Sequence, residues 1–119
     1  MGFVHHSNYL KYFEVARLEW LTDLGISYKN MEENGILLPV VYSEIKYLYP
    51  LKFDEFFIVK VGLDQIPRSK LILNYKIENS ENKKVCIGNI HLAFLYSKNH
   101  KPTRAPENFI FEFKKKYQL

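Results

Sequence analysis

GFVHHSNYLKYFEVARLEWLTDL, residues 2–24, is the stretch whose reading decides the fold. It opens with a glycine turn and two histidines, His5 and His6, then continues with apolar residues at helical spacing. Tyr9, Phe13, Ala16, Trp20 and Leu24 recur every three or four positions, the period of one face of an α-helix. Tyr12, Val15 and Leu18 add apolar surface away from that stripe and leave a narrow polar strip. A helix apolar almost all round is one that the rest of a domain wraps. Ser7 or Asn8 can cap its start by accepting from the free N–H groups there, and Gly25 supplies the stop. The helix is therefore expected over residues 8–24.

Beyond it the pattern changes period. Residues 25–36 read as a connecting loop with a short helical turn around Tyr28–Asn34. A first strand follows at Leu38–Tyr49, with Val41, Ser43, Ile45, Tyr47 and Tyr49 on one side and Glu44 and Lys46 on the other, the alternation of a half-buried strand. Pro50 and Lys52–Glu55 end it. Phe56–Gln65 is a second strand, with Phe57, Val59, Val61 and Leu63 on one face. After the turn Ile66-Pro67-Arg68-Ser69, a third strand Lys70–Glu78 sets Leu71, Leu73, Tyr75 and Ile77 against Lys70, Asn74 and Lys76. Asn79–Lys83 has the polarity and length of a hairpin turn. A long fourth strand, Lys84–Tyr96, contains Gly88, which suggests a bulge or a bend over the helix. After the turn Ser97–Arg104, Pro106 opens a last helix through about Tyr117. One apolar helix followed by four antiparallel strands makes an α+β domain with the helix against one sheet face.

Composition bounds the function. A chain of 119 residues that is 47% apolar and 25% charged is one ordinary globular domain. Nine Tyr, nine Phe and one Trp fit a strand-rich fold or an interface. A net charge of +4 with 13 acidic residues interspersed does not point to nucleic acid. A small nucleic-acid binder would need basic residues clustered among exposed aromatics, whereas these aromatics alternate into an expected core. The single cysteine, Cys86, excludes an intrachain disulfide and a cysteine zinc site. No run reaches transmembrane length and residues 1–10 do not read as a signal peptide, so a cytoplasmic protein is the expectation.

The residues also carry a resemblance. GFVHHSNYLKYFEVARLEWL resembles the signature of the hot-dog-fold acyl-CoA thioesterases of the 4-hydroxybenzoyl-CoA thioesterase type. In that family a loop ending Gly-x-Val leads through His or Tyr and Asn-Tyr into the central helix. LPVVYSEIKYLYPLKFDEFFIVKV, residues 38–61, is similar to the family's second and third strands, and Arg104-Ala105-Pro106 to the step before its C-terminal helix. The resemblance spans nearly the whole chain. It implies one hot-dog domain over residues 1–119, an antiparallel sheet wrapped around one long apolar helix. It also implies hydrolysis of acyl-CoA, or of acyl carrier protein thioesters, with no metal or redox cofactor and coenzyme A as part of the substrate. Hot-dog domains pair through their sheets, so a homodimer or homotetramer is expected.

The same register implies site residues. The family's catalytic carboxylate is an Asp three residues before the motif glycine. Gly2 is that glycine, so the Asp would stand two residues ahead of Met1, and the family's first strand would precede it. The expectation is that the natural protein extends upstream; the rival is a non-catalytic hot-dog module that binds an acyl ligand or serves assembly. Thioester hydrolysis needs donors aimed at the carbonyl oxygen as it becomes an oxyanion, and a helix N-terminus offers free N–H groups and a positive dipole end. By resemblance that donor is the N–H of His6, whose ring could also hold water or the carboxylate. Gly2, Val4, His6, Tyr9 and Arg68 are the expected substrate-binding residues, Gly2 by letting the backbone approach the acyl group. His5 has no matched role, and adjacent histidines without a third ligand make a poor metal site.

Other candidates read as structural. Glu14 lies on the helix at a spacing that does not match the hot-dog enzymes with a helical Glu, and an ion pair with Arg17 or Lys11 is the plainer account. Cys86, mid-strand among apolar residues, reads as an inert core thiol. Ser7 reads as a cap, since no Gly-x-Ser-x-Gly elbow surrounds it. Arg68, Lys70, Lys83, Lys84 and Arg104 could meet the phosphates of coenzyme A, though each taken singly reads as a solvated basic edge. Lys114–Lys116 read as a soluble helix end.

Overall fold

The computed structural model describes residues 2–118. A long helix, α1 (Ser7–Asp23), is followed by a short one, α2 (Tyr28–Glu33), and then by strands β1 (Ile36–Leu37), β2 (Val40–Tyr47), β3 (Phe57–Gly62), β4 (Lys70–Asn79), β5 (Lys84–Ala93) and β6 (Leu95–Tyr96). Helix α3 (Glu107–Tyr117) closes the chain. The four longer strands form one antiparallel sheet in the order β2-β5-β4-β3, and β1 pairs with β6.

The expected helix stripe is the buried one. Tyr9, Phe13 and Trp20 of α1 and Leu24 just past its end are buried, and Ala16 is half-buried. The rest of the domain does not wrap α1, however, because Leu10, Val15 and Leu18 stay exposed. The capping expectation also changes. His6 is the residue before the first turn and makes no side-chain cap. The His5 ring does this work instead: its Nδ1 accepts the Ser7 N–H at 3.3 Å and lies 2.8 Å from Ser7 Oγ. At the other end, Gly25 at φ 80° donates to Thr22, and Ile26 donates to Leu21, the paired bonds of a helix stop that glycine favours.

Alternation placed the β3 and β4 faces correctly, but the expected strand Leu38–Tyr49 is shorter, Val40–Tyr47, and exposed along nearly all its length, so the row Val41, Ser43, Ile45, Tyr47 is not buried. Leu71, Leu73, Tyr75 and Ile77 of β4 are buried beneath α1 and register against Leu92, Ile90, Gly88 and Cys86 of β5. Two expectations fail in β5. The stretch 84–96 is not one strand: its partner segment is interrupted at Pro39, which lacks an N–H to continue a ladder, and the chain changes partners around Phe94 to form the β1–β6 pair. Gly88 is not a bulge either. It pairs in regular register with Ile45 and Tyr75, and the irregularities lie at Val40/Tyr42 and Ile77/Glu78. What requires glycine is the Phe13 ring, which a Cβ at Gly88 would meet at 2.6 Å.

The β4–β5 hairpin is held by buried Asn79, whose Oδ1 accepts the N–H groups of Glu81 and Lys83, both at 2.9 Å. Pro106 precedes α3, as expected. Phe109 and Phe113 fix that helix in the core, Phe109 edge-on to Phe94 and tilted against Trp20. Trp20 Nε1 donates to Tyr117 Oη at 3.0 Å, tying the two long helices together.

Candidate active site

The site is built where the N-terminal segment meets the start of α1. Residues 2–4 run antiparallel to 51–53: Phe3 bridges Lys52, the Val4 N–H donates to the Leu51 carbonyl at 2.7 Å, and the Phe53 N–H donates to the Gly2 carbonyl at 2.9 Å. Gly2 needs its missing side chain for its φ of 66°, since a Cβ there would meet nothing within 4 Å. This clamp delivers the chain to His5 and His6 at a defined angle to the helix.

The first turn then leaves one donor over. Asn8 and Tyr9 donate to the carbonyls of His5 and His6, and Ser7 donates to the His5 ring. The His6 N–H has no partner among the described residues, and its residue is exposed at the positive end of the helix. The His6 ring lies edge-on to Tyr47 at 6.3 Å between centroids, and Tyr47 stacks obliquely on Tyr9 at 5.3 Å. Tyr9 itself is buried, and burial pushes its phenol up, with the nearby Leu51 backbone pulling the other way. A free N–H beside an exposed imidazole and two tyrosines can take a carbonyl oxygen and wall off the group attached to it.

Of the expected site residues, Gly2, Val4, His6 and Tyr9 come together here. Arg68 does not. Tyr47, beside His6, pairs with Cys86, which pairs with Ile77, whereas Arg68 sits beyond Lys70 at the opposite end of β4. Seven residues of strand, about 23 Å, lie between Ile77 and Lys70. Arg68 instead holds Ala105 through its carbonyl. Of the basic turn residues weighed with Arg68, Lys83 lies at the Tyr47 end of the sheet, its Nζ over the Tyr49 ring at 4.7 Å, and Lys52 stands opposite Phe3. Tyr47 is the residue that sequence reasoning missed. Alternation only sets it on one side of its strand with Val41, Ser43, Ile45 and Tyr49, and nothing in the order of residues joins position 47 to position 6.

The remaining candidates sort cleanly. Cys86 is fully buried and burial pushes its thiol up to about 11, so it is an inert core group. Glu14 is exposed, and no ion pair with Arg17 or Lys11 forms among the described residues. No cluster of three or more metal-ligating side chains occurs among the described residues, nor a helix long and apolar enough to cross a membrane.

Residues 1–112 match the family model of the thioesterase-like superfamily. The chain belongs to that superfamily. YneP of Bacillus subtilis strain 168, provisionally named an acyl-CoA thioesterase, is 39% identical over 79 residues, which are 66% of this chain and 57% of YneP. The acyl-CoA thioester hydrolase YbgC of Escherichia coli O6:H1 is 22% identical over 95% of this chain and 84% of its own. The chain spans little more than half the length of the first curated relatives it matches. Among solved structures, the DHNA-CoA thioesterase of Staphylococcus aureus superposes with a TM-score of 0.89 at 30% identity, covering 100% of this chain and 82% of that one. The antiparallel sheet packed on one long helix is thus the hot-dog fold.

Proposed function

We propose that the protein hydrolyses acyl-CoA thioesters, or acyl carrier protein thioesters, to free acid and thiol. The observation that carries this reading is the unpartnered His6 N–H at the start of α1, in a chain of this superfamily. The relatives are named for acyl-CoA thioester hydrolysis and for a naphthoyl-type thioester. In the proposed reaction, the thioester carbonyl oxygen accepts from the His6 N–H. Water attacks the carbonyl carbon, either directly or on the anhydride left after a carboxylate has displaced the thiolate. The C–S bond breaks, water's oxygen ends in the free acid, and a proton from water goes to the departing sulfur. The donor stabilises charge that exists only after attack, so it favours the transition state over bound substrate. Tyr9 and Tyr47 shield the acyl group beside the carbonyl, and the His6 ring orients the attacking oxygen. The carboxylate implied by the resemblance would stand two positions ahead of Met1, and the upstream codons show directly whether an Asp is encoded there.

The same reading makes the protein a cytoplasmic homo-oligomer, dimer or tetramer. Its support is the edge strand β2 and its continuation, where Val40, Val41, Tyr42, Tyr47, Leu48 and Tyr49 are all exposed. Apolar side chains exposed at both ends of an open edge strand, with Ser43, Glu44 and Lys46 between them, offer a pairing surface.

The test is thiol release from a panel of acyl-CoA and acyl carrier protein thioesters by the full natural chain and two variants. His6 has φ −57° and an unused N–H, so His6→Pro suits that φ and deletes the donor together with the ring. His6→Ala deletes the ring and keeps the donor. Loss of the donor should lower turnover by about a hundred- to a thousandfold, and loss of the ring alone by about ten- to a thousandfold. No hydrolysis of any thioester, or full activity in a folded His6→Pro protein, overturns the proposal.

A further inference from the structure

A groove of about 230 Å³ runs between α1 and β2, away from the His6 end and towards the middle of the helix. Its apolar lining is Leu10 and Phe13 of α1, Val40 of β2 and Ile90 of β5. Arg17 and Ser43 face each other across it, and Glu14 stands at its exposed rim. Two polar groups, one in this groove and one beneath it, lack a regular partner. Arg17 is half-buried, yet its guanidinium has no ion pair or well-formed hydrogen bond among the described residues. Tyr75 stacks on Phe13 at 4.4 Å, is buried to 2% exposure, and its hydroxyl has no hydrogen-bond partner. Burial pushes that phenol up to about 12, and the Arg17 guanidinium opposes the push through its charge and through an approach to the hydroxyl that falls short of a well-formed hydrogen bond. A buried hydroxyl without a partner is costly. Arg17, which lines the groove without an acidic partner, is placed to meet a group from outside, and the buried Tyr75 hydroxyl beside it supports the guanidinium from beneath.

The geometry points to Arg17 as a specificity-determining residue that reads an oxygen acceptor, a carboxylate or hydroxyl, at the far end of the acyl group, with Tyr75 as a positioning residue behind it. This rests on the proposed thioesterase site. β2 runs antiparallel to α1, so Tyr47 stands beside His6 while Ser43 and Val40 stand beside the middle of the helix. A thioester carbonyl held at His6 therefore sends its acyl group into the groove. Eleven residues of helix separate His6 from Arg17, and helical side chains lean back towards the N-terminus, so the guanidinium lies about 10 Å from the carbonyl position. An acetyl group does not reach it. A two-ring aryl group or a medium-length chain does.

The test uses coenzyme A thioethers, which bind but cannot be hydrolysed: S-octyl-CoA, S-(8-hydroxyoctyl)-CoA and S-(7-carboxyheptyl)-CoA. Calorimetry gives Kd for each with the native chain, Arg17→Met, Arg17→Lys and Tyr75→Phe. The native chain should bind at least one oxygen-ended thioether about tenfold or more tighter than S-octyl-CoA, the low end for a charge-assisted hydrogen bond. The hydroxyl and carboxyl arms separate a neutral acceptor from an anionic one. Arg17→Met should collapse the ratio to within about threefold and Arg17→Lys should restore part of it. Tyr75→Phe should lower the ratio while leaving the fold as stable as before or more so, because it removes an unsatisfied group. That combination distinguishes ligand reading from a structural role. Equal binding of all three thioethers by the native chain, no binding of any, or a ratio unchanged in Arg17→Met overturns the inference. Failure of hydrolysis with the binding ratio intact would instead sink the thioesterase reading and leave the groove assignment standing.

Discussion

Gly88→Ala places a methyl group where the structure has least room for one. The new Cβ would lie 2.6 Å from Phe13 Cε2 and 3.0 Å from Cζ, against the 3.5–4.0 Å or so at which carbon atoms rest. About 1 Å must be found. Phe13 cannot swing clear, because its ring is buried to 1% exposure and stacked on Tyr75. The sheet cannot easily retreat either, since Gly88 is laddered to strands on both sides, opposite Ile45 and Tyr75. Overpacking of this kind costs about 1–3 kcal/mol, and at this chain length each kcal/mol lowers Tm by about 4 °C. We expect Tm to fall by about 4–12 °C, measured by thermal unfolding and checked by urea titration with an unchanged m-value. Phe13→Leu shortens the offending ring, so the double variant should be more stable than the sum of the two single losses by about 1 kcal/mol or more. Strictly additive losses, or a Gly88→Ala protein within about 0.5 kcal/mol of native, would refute the packing account.

Stability should fall at high pH through Cys86. Its folded value of about 11 is above the ordinary 9.0, so the unfolded chain loses its proton first; the stabilisation is whole below about pH 9 and is lost as pH rises to about 11. Denaturation midpoints across that range should drop less in Cys86→Ala than in the native chain, and equal slopes would remove Cys86 as the cause. On the open edge of β2, Val41→Lys sets a charge in the exposed apolar row. Sedimentation at micromolar concentration should show an oligomer for the native chain and a smaller species for Val41→Lys; a native monomer would defeat the assembly reading.

Local period was enough for most of the fold. The stripe Tyr9, Phe13, Trp20, Leu24 and the row Leu71, Leu73, Tyr75, Ile77 are both buried where the three-to-four and the two-residue spacings put them. The hairpin at Asn79 and the stop at Gly25 were legible because their chemistry is local. What sequence spacing could not carry was anything decided between distant segments. The end of β5 depends on Pro39, more than 50 positions earlier. The need for glycine at position 88 depends on the ring of residue 13. At the candidate site, the clamp of residues 2–4 on 51–53 and the approach of Tyr47 to His6 are long-range pairings, while Arg68 was placed there by its charge alone. His5 shows a different failure. A ring nitrogen capping a helix is chemically ordinary, but side-chain preferences at that position favour Ser and Asn, and both were at hand.

The groove has its origin in where α1 lies on the sheet. Tyr12 meets Phe57 of β3 at 4.8 Å and Phe13 covers Tyr75 of β4 and Gly88 of β5, so the helix leans to the β3 side. A helix about 10 Å wide cannot also cover a strand two places away at about 4.8 Å per strand. β2 is therefore left almost wholly exposed, with a gap between it and the flank of α1. Glu14 and Arg17 occupy that flank, which explains why polar residues interrupt a helix that is otherwise apolar on most sides. Gly88 contributes to the same result by letting Phe13 sit low on the sheet, so a side chain there would lift the helix and reshape the groove along with the core. The uncovered strand supplies both one wall of the groove and the apolar edge available to a second copy. Any partner that pairs along β2 would consequently close the groove from the side, and assembly and acyl recognition would share one strand.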